Sequence, residues 1–320
     1  MPPAMPPPMP LGAPSTPAPA TSAPVVPSSA PAPNSSNAGS VVGAAPVPVS
    51  AARAERDAIA AASAAGALQR KSKGNNPAQL ARRIAAALNA DESGDFRFYW
   101  MTGLAEDGTI VVANSYGIGY IPEGVNLPEQ VKLASADESI PAGDRGRWAT
   151  YPVLMLQGWA QAHGTALRQI IATEAQFQGF DPGAAKVILR PDDIPANGQM
   201  AGRSRLEVIA PGAAAKLAAV GDAGLTELLP AAPTDVNPPA DETFNKWFEV
   251  MKPMMSTASD RGAAHLRAFV DYADHAQEKA LFLAHTAIDS AAQRAAIADW
   301  VYWQHLAVLM SDALSGLQTA

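Results

Sequence analysis

Phe96-Arg97-Phe98-Tyr99-Trp100-Met101-Thr102-Gly103-Leu104, then Asp107-Gly108, then Thr109-Ile110-Val111-Val112-Ala113-Asn114-Ser115-Tyr116-Gly117-Ile118-Gly119-Tyr120-Ile121-Pro122, reads as a β-hairpin. Aromatic and β-branched side chains fit a pleated, half-buried surface, and an Asp-Gly pair between two such runs is a strong hairpin signal. A folded domain is therefore expected to start near Asp95.

On the N-terminal side, residues 1–52 carry no charged and no aromatic residue and hold 15 of the chain's 29 prolines. Such a segment cannot bury enough apolar surface to offset its ordering entropy, so a disordered, partly polyproline II tether is expected. It serves either as a spacer or as a motif for a proline-reading partner. Prolines stand where a secretory signal peptide needs its apolar core, and no run approaches the roughly 18 to 20 apolar residues that span a bilayer. The expectation is a soluble chain made in the cytosol. The absence of cysteine removes disulfides, thiolate nucleophiles and Cys-based zinc sites.

The formal net charge of −7 is unevenly spread. Arg53, Arg56, Arg70, Lys71, Lys73, Arg82 and Arg83 face only Glu55 and Asp57, so +5 in this neck leaves −12 elsewhere. The neck is either a solvated helix face or a contact for an acidic partner or anionic lipid. Nucleic acid is not expected as a partner: the neck lacks base-stacking aromatics and the acidic body repels phosphates.

Residues 51–70 are Ala-rich and helix-prone, and a second helix starts with Asn76 as N-cap and Pro77 at its first position. After the hairpin, Val131–Leu133 suggests a short strand. Trp148 to Phe177 reads as two helices divided at His163-Gly164, with Leu167, Ile170, Ile171 and Phe177 as a buried stripe and Gly179 ending the second. Lys186–Leu189 and Arg205–Ile209 read as strands. Pro230, Pro233, Pro238 and Pro239 mark a linker. Beyond it Asp241 caps a helix with Phe244, Trp247, Phe248 and Met251 at spacings of three and four. Capping boxes at Thr257–Asp260 and Ser290–Gln293 delimit helices of about 257–289 and 290–317.

The fold class is thus α+β with a C-terminal helical bundle. Its parts are a tether at 1–50, a basic helical neck at 51–92, an α+β domain at 93–229, a linker at 230–240 and a helical domain at 241–320.

Catalytic signals are incomplete. Ala113-Asn114-Ser115-Tyr116-Gly117 imitates a nucleophile elbow, yet no helix follows and no His/Asp pair can be placed with Ser115, His163 included. Gly117-Ile118-Gly119 lacks the third glycine of a phosphate loop. Asp271, His275 and Glu278 share a helical face, but no second ligand-bearing helix is marked, so an ion-pair stripe is expected and no metal or cofactor. Asp192-Asp193, between prolines, reads as a turn or cap.

The last helix is apolar on every side from Trp300 onward, so it is buried on more than one side. Either it lies centrally in an intramolecular bundle, or part of its surface receives a partner helix. On the second reading Trp300, Tyr302, Trp303 and Leu306, with Phe282 on the neighbouring helix, are the candidate partner-binding residues.

The hairpin block, with Asp192-Asp193-Ile194-Pro195, Gly202-Arg203-Ser204-Arg205-Leu206-Glu207-Val208 and Ala298-Asp299-Trp300-Val301-Tyr302-Trp303-Gln304, resembles the EspK-like accessory proteins of actinobacterial type VII (ESX) secretion, over roughly residues 85 to 318. The resemblance implies a role and no reaction: a non-enzymatic escort that binds an EspB-like secreted substrate, with the ESX secretion ATPase as a further candidate partner. An alternative is that the chain is itself exported, although the Tyr-x-x-x-Asp/Glu signal and the Trp-x-Gly turn are absent. A third is an enzyme or toxin domain in the α+β region. EspK-like proteins usually carry a longer Pro-rich N-terminal part.

Overall fold

A computed structural model describes residues 76–90, 97–179, 181–232 and 237–318. The tether and the helix expected at 51–70 lie outside the described residues. The expected hairpin forms from β1 (Trp100–Ala105) and β2 (Ile110–Asn114), antiparallel with Trp100 opposite Asn114 and Leu104 opposite Ile110. Its turn is held by Asp107, whose carboxylate accepts the Thr109 N–H at 2.9 Å and hydroxyl at 3.0 Å. Gly108 takes the left-handed φ of 88° that such a turn needs.

The sheet has five strands in the order β3-β2-β1-β4-β5. β3 (Val131–Leu133) runs parallel to β2, β4 (Leu167–Thr173) antiparallel to β1, and β5 (Ala185–Leu189) parallel to β4. Both strands of the hairpin are wholly buried, not half-buried as their composition suggested, while its turn at Glu106 and Asp107 is exposed. On one face Trp100, Leu104, Val112 and Ile171 pack on α1 (Pro77–Leu88). On the other, Met101, Val111, Ala113 and Ile170 pack against Val153, Leu156 and Trp159 of α3 (Pro152–Ala162), which follows a short α2 (Ala142–Trp148). α1 begins as expected, with the Asn76 side chain accepting the Ala78 N–H and Pro77 at its first position.

Two assignments are corrected. The second helix expected up to Phe177 is instead strand β4, followed by a single 3-10 turn at Ala175–Phe177, so Gly179 ends no helix. At the buried centre of β4, Ile170 and Ile171 point to opposite faces of the sheet, and with Leu167 they fall at spacings of three and four that mimic a helical stripe. Arg205–Ile209, expected as a strand, is helix α4. Ser204 caps it: its hydroxyl accepts the Glu207 N–H while Glu207 accepts the Ser204 N–H at 2.6 Å. α5 (Pro211–Ala219) follows directly.

The C-terminal region comprises α6 (Thr243–Met251), α7 (Arg261–Thr286) and α8 (Ser290–Gln318). α7 starts four residues later than its expected capping box, and Asp289, not Ser290, caps α8, accepting the Ala292 N–H at 2.7 Å. Ser290 donates instead to Asp222 at 2.8 Å. The core of these helices extends to the loop after β2 and to α4. Tyr116, Ile118 and Tyr120, in the loop after β2, share one buried cluster with Leu206 of α4, Leu266 and Phe269 of α7, and Tyr302 and Leu306 of α8. The described residues fall within one compact unit.

α8 also crosses α2 at near backbone contact. A Cβ on Gly316 would lie 2.6 Å from the Gly143 nitrogen and 2.8 Å from its Cα, so neither backbone can yield without parting the helices. Gly316→Ala is expected to lower the unfolding free energy by about 1–3 kcal/mol, measured by urea denaturation.

Candidate protein-docking surface

The loop after β2 brings aromatic rings under α6, α7 and α8. Tyr120 lies 5.7 Å from Trp247 and 5.1 Å from Phe269, and Trp247 lies 4.9 Å from Tyr272. Tyr272 in turn meets Trp303 edge-on at 5.4 Å. Offset and edge-to-face pairs of this kind each add about 0.5–1.5 kcal/mol beyond their buried area.

Of the five candidate partner-binding residues, three form core. Tyr302 and Leu306 are wholly buried and Trp303 is 8% exposed. The Tyr302 hydroxyl accepts the Ile121 N–H at 2.8 Å and donates to the Ile121 carbonyl at 3.2 Å, satisfying a loop backbone that no strand pairs. The Arg205 guanidinium lies over Tyr302 at 4.7 Å and bonds Asp299 at 2.7 Å. The intramolecular reading therefore describes these three, while Trp300 and Phe282 keep partial exposure.

The exposed aromatics are elsewhere. On α6, Trp247 and Val250 turn inward, whereas Phe244 is 79% and Phe248 44% exposed. Phe244, Trp247, Tyr120 and Tyr272 line an open cavity of about 410 Å³, with Asp241 and Thr243 at its end by the α6 N-terminus. Asp241 accepts the Thr243 N–H at 3.2 Å and hydroxyl at 2.6 Å, and Lys279 Nζ at 2.8 Å, so the ionic groups at this end neutralise one another. The sequence stripe Phe244, Trp247, Phe248, Met251 marked the residues but not which of them face outward.

α7 is anchored to this surface by His265. The Gly117 N–H can only donate, so Nε2 accepts it at 2.9 Å and Nδ1 carries the proton given to the Val250 carbonyl at 2.8 Å. Burial, aided by the charge of Arg261, lowers its pKa to about 4. The three residues expected to share an ion-pair face on α7 part company: His275 is buried and accepts the Glu242 N–H at 3.2 Å, while Asp271 and Glu278 face solvent.

Neither serine stands in the geometry of a catalytic triad. Ser115 is buried, donating to the Arg97 carbonyl at 2.8 Å and accepting the Tyr99 N–H, and is remote in role from His163. His163 instead meets Asp137 at 2.8 Å and Ser139 at 3.2 Å, a trio the sequence reading missed. Both contacts fall on Nε2, whereas a triad needs the carboxylate on the opposite nitrogen, and Ser139 donates directly to Asp137 at 2.6 Å. Burial would raise the Asp137 carboxyl, but hydrogen bonds from Ser139, His163 and Trp159 outweigh it and hold it at about 2. Asp193 accepts the Arg190 N–H and pairs with Arg82, a turn cap as expected. Among the described residues no His, Asp or Glu cluster suited to a metal is found, and no helix is long and apolar enough to cross a membrane.

The family model for the EspK C-terminal domain matches residues 89–315. The chain is 57% identical over 272 residues to the ESX-1 secretion-associated protein EspK of Mycobacterium tuberculosis (strain CDC 1551 / Oshkosh), covering 84% of this chain and 37% of that protein. It is 53% identical over 274 residues to an uncharacterized protein of Mycolicibacterium smegmatis (strain MKD8), covering 85% and 36%. Each match thus spans little more than a third of the relative's length. With a family model that fits most of the folded residues and relatives this similar, the chain belongs to the EspK C-terminal domain family.

Proposed function

We propose that this chain is a non-enzymatic accessory protein of type VII (ESX) secretion that binds and escorts an EspB-like secreted substrate. Family membership and the relative's name as secretion-associated support the setting. The observation that carries the binding role is the outward pair Phe244 and Phe248, exposed beside an aromatic cavity that folding leaves open. Exposed aromatics in a cluster are the residue types that anchor protein interfaces. Trp300 and Phe282 are additional contacts in this reading, with the ESX secretion ATPase as a second partner. The Ser115 and His163 groups are committed to backbone and turn hydrogen bonds, which favours binding over chemistry.

Isothermal titration of the full chain with a purified EspB-like protein tests the role. Saturable binding is expected, weakened by more than about 1 kcal/mol in a Phe244→Ala/Phe248→Ala double variant whose thermal unfolding is unchanged. Absence of binding by the unaltered chain would overturn the escort reading.

A further inference from the structure

We propose that the open edge of the sheet at β5 takes up an extended segment of a partner protein as an added strand, and that this segment bears acidic, apolar and acidic side chains at alternate positions. The site lies apart from the aromatic cavity and goes beyond the docking role above. A sheet edge presents alternate backbone N–H and C=O groups outward, ready to pair with another strand. At the opposite edge β3 has only three residues, and its Val131 carbonyl already accepts the Arg203 guanidinium at 2.7 Å. β5 has five residues and, among the described residues, no strand beyond it. Its Ile188 is 43% exposed, an apolar side chain where edges that resist pairing carry charge or proline.

The side chains along this edge say what kind of strand fits. β5 is parallel to β4, with Ile170 opposite Lys186 and Ala172 opposite Ile188. Lys186 and Ile188 therefore share the face of the sheet on which α3 packs, and α3 covers Ile170 and Ala172 but leaves Ile188 open. Arg190 follows with an extended backbone, φ −92° and ψ 157°, and continues the alternation. The exposed edge thus reads cation, apolar, cation. The neighbouring acids are already engaged: Asp193 accepts Arg82 at 2.6 Å and the Arg190 N–H at 2.8 Å, and Asp181 accepts the Gly183 N–H at 3.0 Å. Opposite charges directly across two strands stabilise their pairing, and like charges oppose it. A second copy of this chain would set one cationic edge against another, and a proline-rich strand lacks N–H groups that the edge must receive. A strand with acids facing Lys186 and Arg190, and valine or isoleucine facing Ile188, meets every group.

The test is isothermal titration of the full chain, at about 50 mM salt, with acetyl-Thr-Glu-Thr-Val-Thr-Glu-Thr-amide. Two further peptides are compared with it: one with lysine for both glutamates, and the acidic one N-methylated throughout. The acidic peptide is expected to bind, about fivefold or more weakly to an Arg190→Glu variant whose thermal unfolding is unchanged, and the other two peptides are expected to give no heat. No heat from the acidic peptide at about 1 mM, or equal affinity in the variant, would overturn the assignment. So would binding of the lysine peptide with the same affinity, and binding of the N-methylated one would mean charge attraction without a new strand. A dimer in sedimentation that Ile188→Glu abolishes would give the edge to a second copy and refute the proposal as well. Affinity for the acidic peptide should not change in the Phe244→Ala/Phe248→Ala double variant, so this site and the escort reading fail separately.

Discussion

Replacing His265 by Ala will cost roughly 3–5 kcal/mol of stability, read from urea or thermal unfolding at pH 7.5. The side chain is wholly buried and joins three elements: the loop after β2 through Gly117, the end of α6 through Val250, and its own helix α7. Its removal leaves a buried backbone N–H and a buried carbonyl without partners, each worth about 1–3 kcal/mol. It also opens a cavity beside Tyr116 and Phe269, whose rings sit 5.3 and 5.5 Å from the imidazole. The same residue makes the fold acid-sensitive in a defined window. Its pKa is about 4 in the native state against 6.5 for a free imidazole, so between these values the unfolded chain binds a proton that the folded one refuses. Stability therefore falls as pH drops from 6.5 towards 4, by roughly 3 kcal/mol from this group alone. Carboxylates paired in the native state, such as Asp137 near 2, release their share only at lower pH, so the two contributions separate along the axis. A flat stability profile between pH 6.5 and 4.5, or the same profile in His265→Ala, would contradict the buried bridge.

The legible parts of the fold were those with local punctuation. Asp107-Gly108 fixed the hairpin, Asn76-Pro77 opened α1, and Val131–Leu133 and Lys186–Leu189 stood out as short apolar runs between breakers. β4 was not legible because Arg168 and Gln169 interrupt its apolar run, and adjacent Ile170 and Ile171 satisfy a helical stripe as well as two opposite strand faces. At α4 the β-branched Val208 and Ile209 outweighed a signal that was present, the Ser204 to Glu207 capping box. The site followed the same logic. An apolar surround from Trp300 onward correctly demanded burial on several sides, but periodicity cannot say which stripe of a nine-residue helix faces inward, so Phe244 and Phe248 were read with Trp247 as one face.

Trp303→Ala distinguishes the core reading of that ring from an interface one. Trp303 stacks on Tyr120 at 6.4 Å, meets Tyr302 and Tyr272 edge-on at 5.1 and 5.4 Å, and lies beneath Arg205 at 5.5 Å. With 8% of its surface exposed, truncation should cost roughly 3–5 kcal/mol, and a loss below about 1 kcal/mol would refute its place in the core. Trp300→Ala, at a partly exposed position on the same helix, should cost far less and serves as the control. The form of the transition carries further information. Because Tyr120 follows β2 closely while Trp303 lies on α8, the helical cluster reaches the chain leaving the hairpin, and loosening it should weaken hairpin and helices together. A single transition, coincident by far-ultraviolet circular dichroism and by hydrogen exchange of the β1 and β2 amides, is therefore expected for both the parent and the variant. Melting of the C-terminal helices while those strand amides stay protected would mean that the helices and the sheet stand on separate cores.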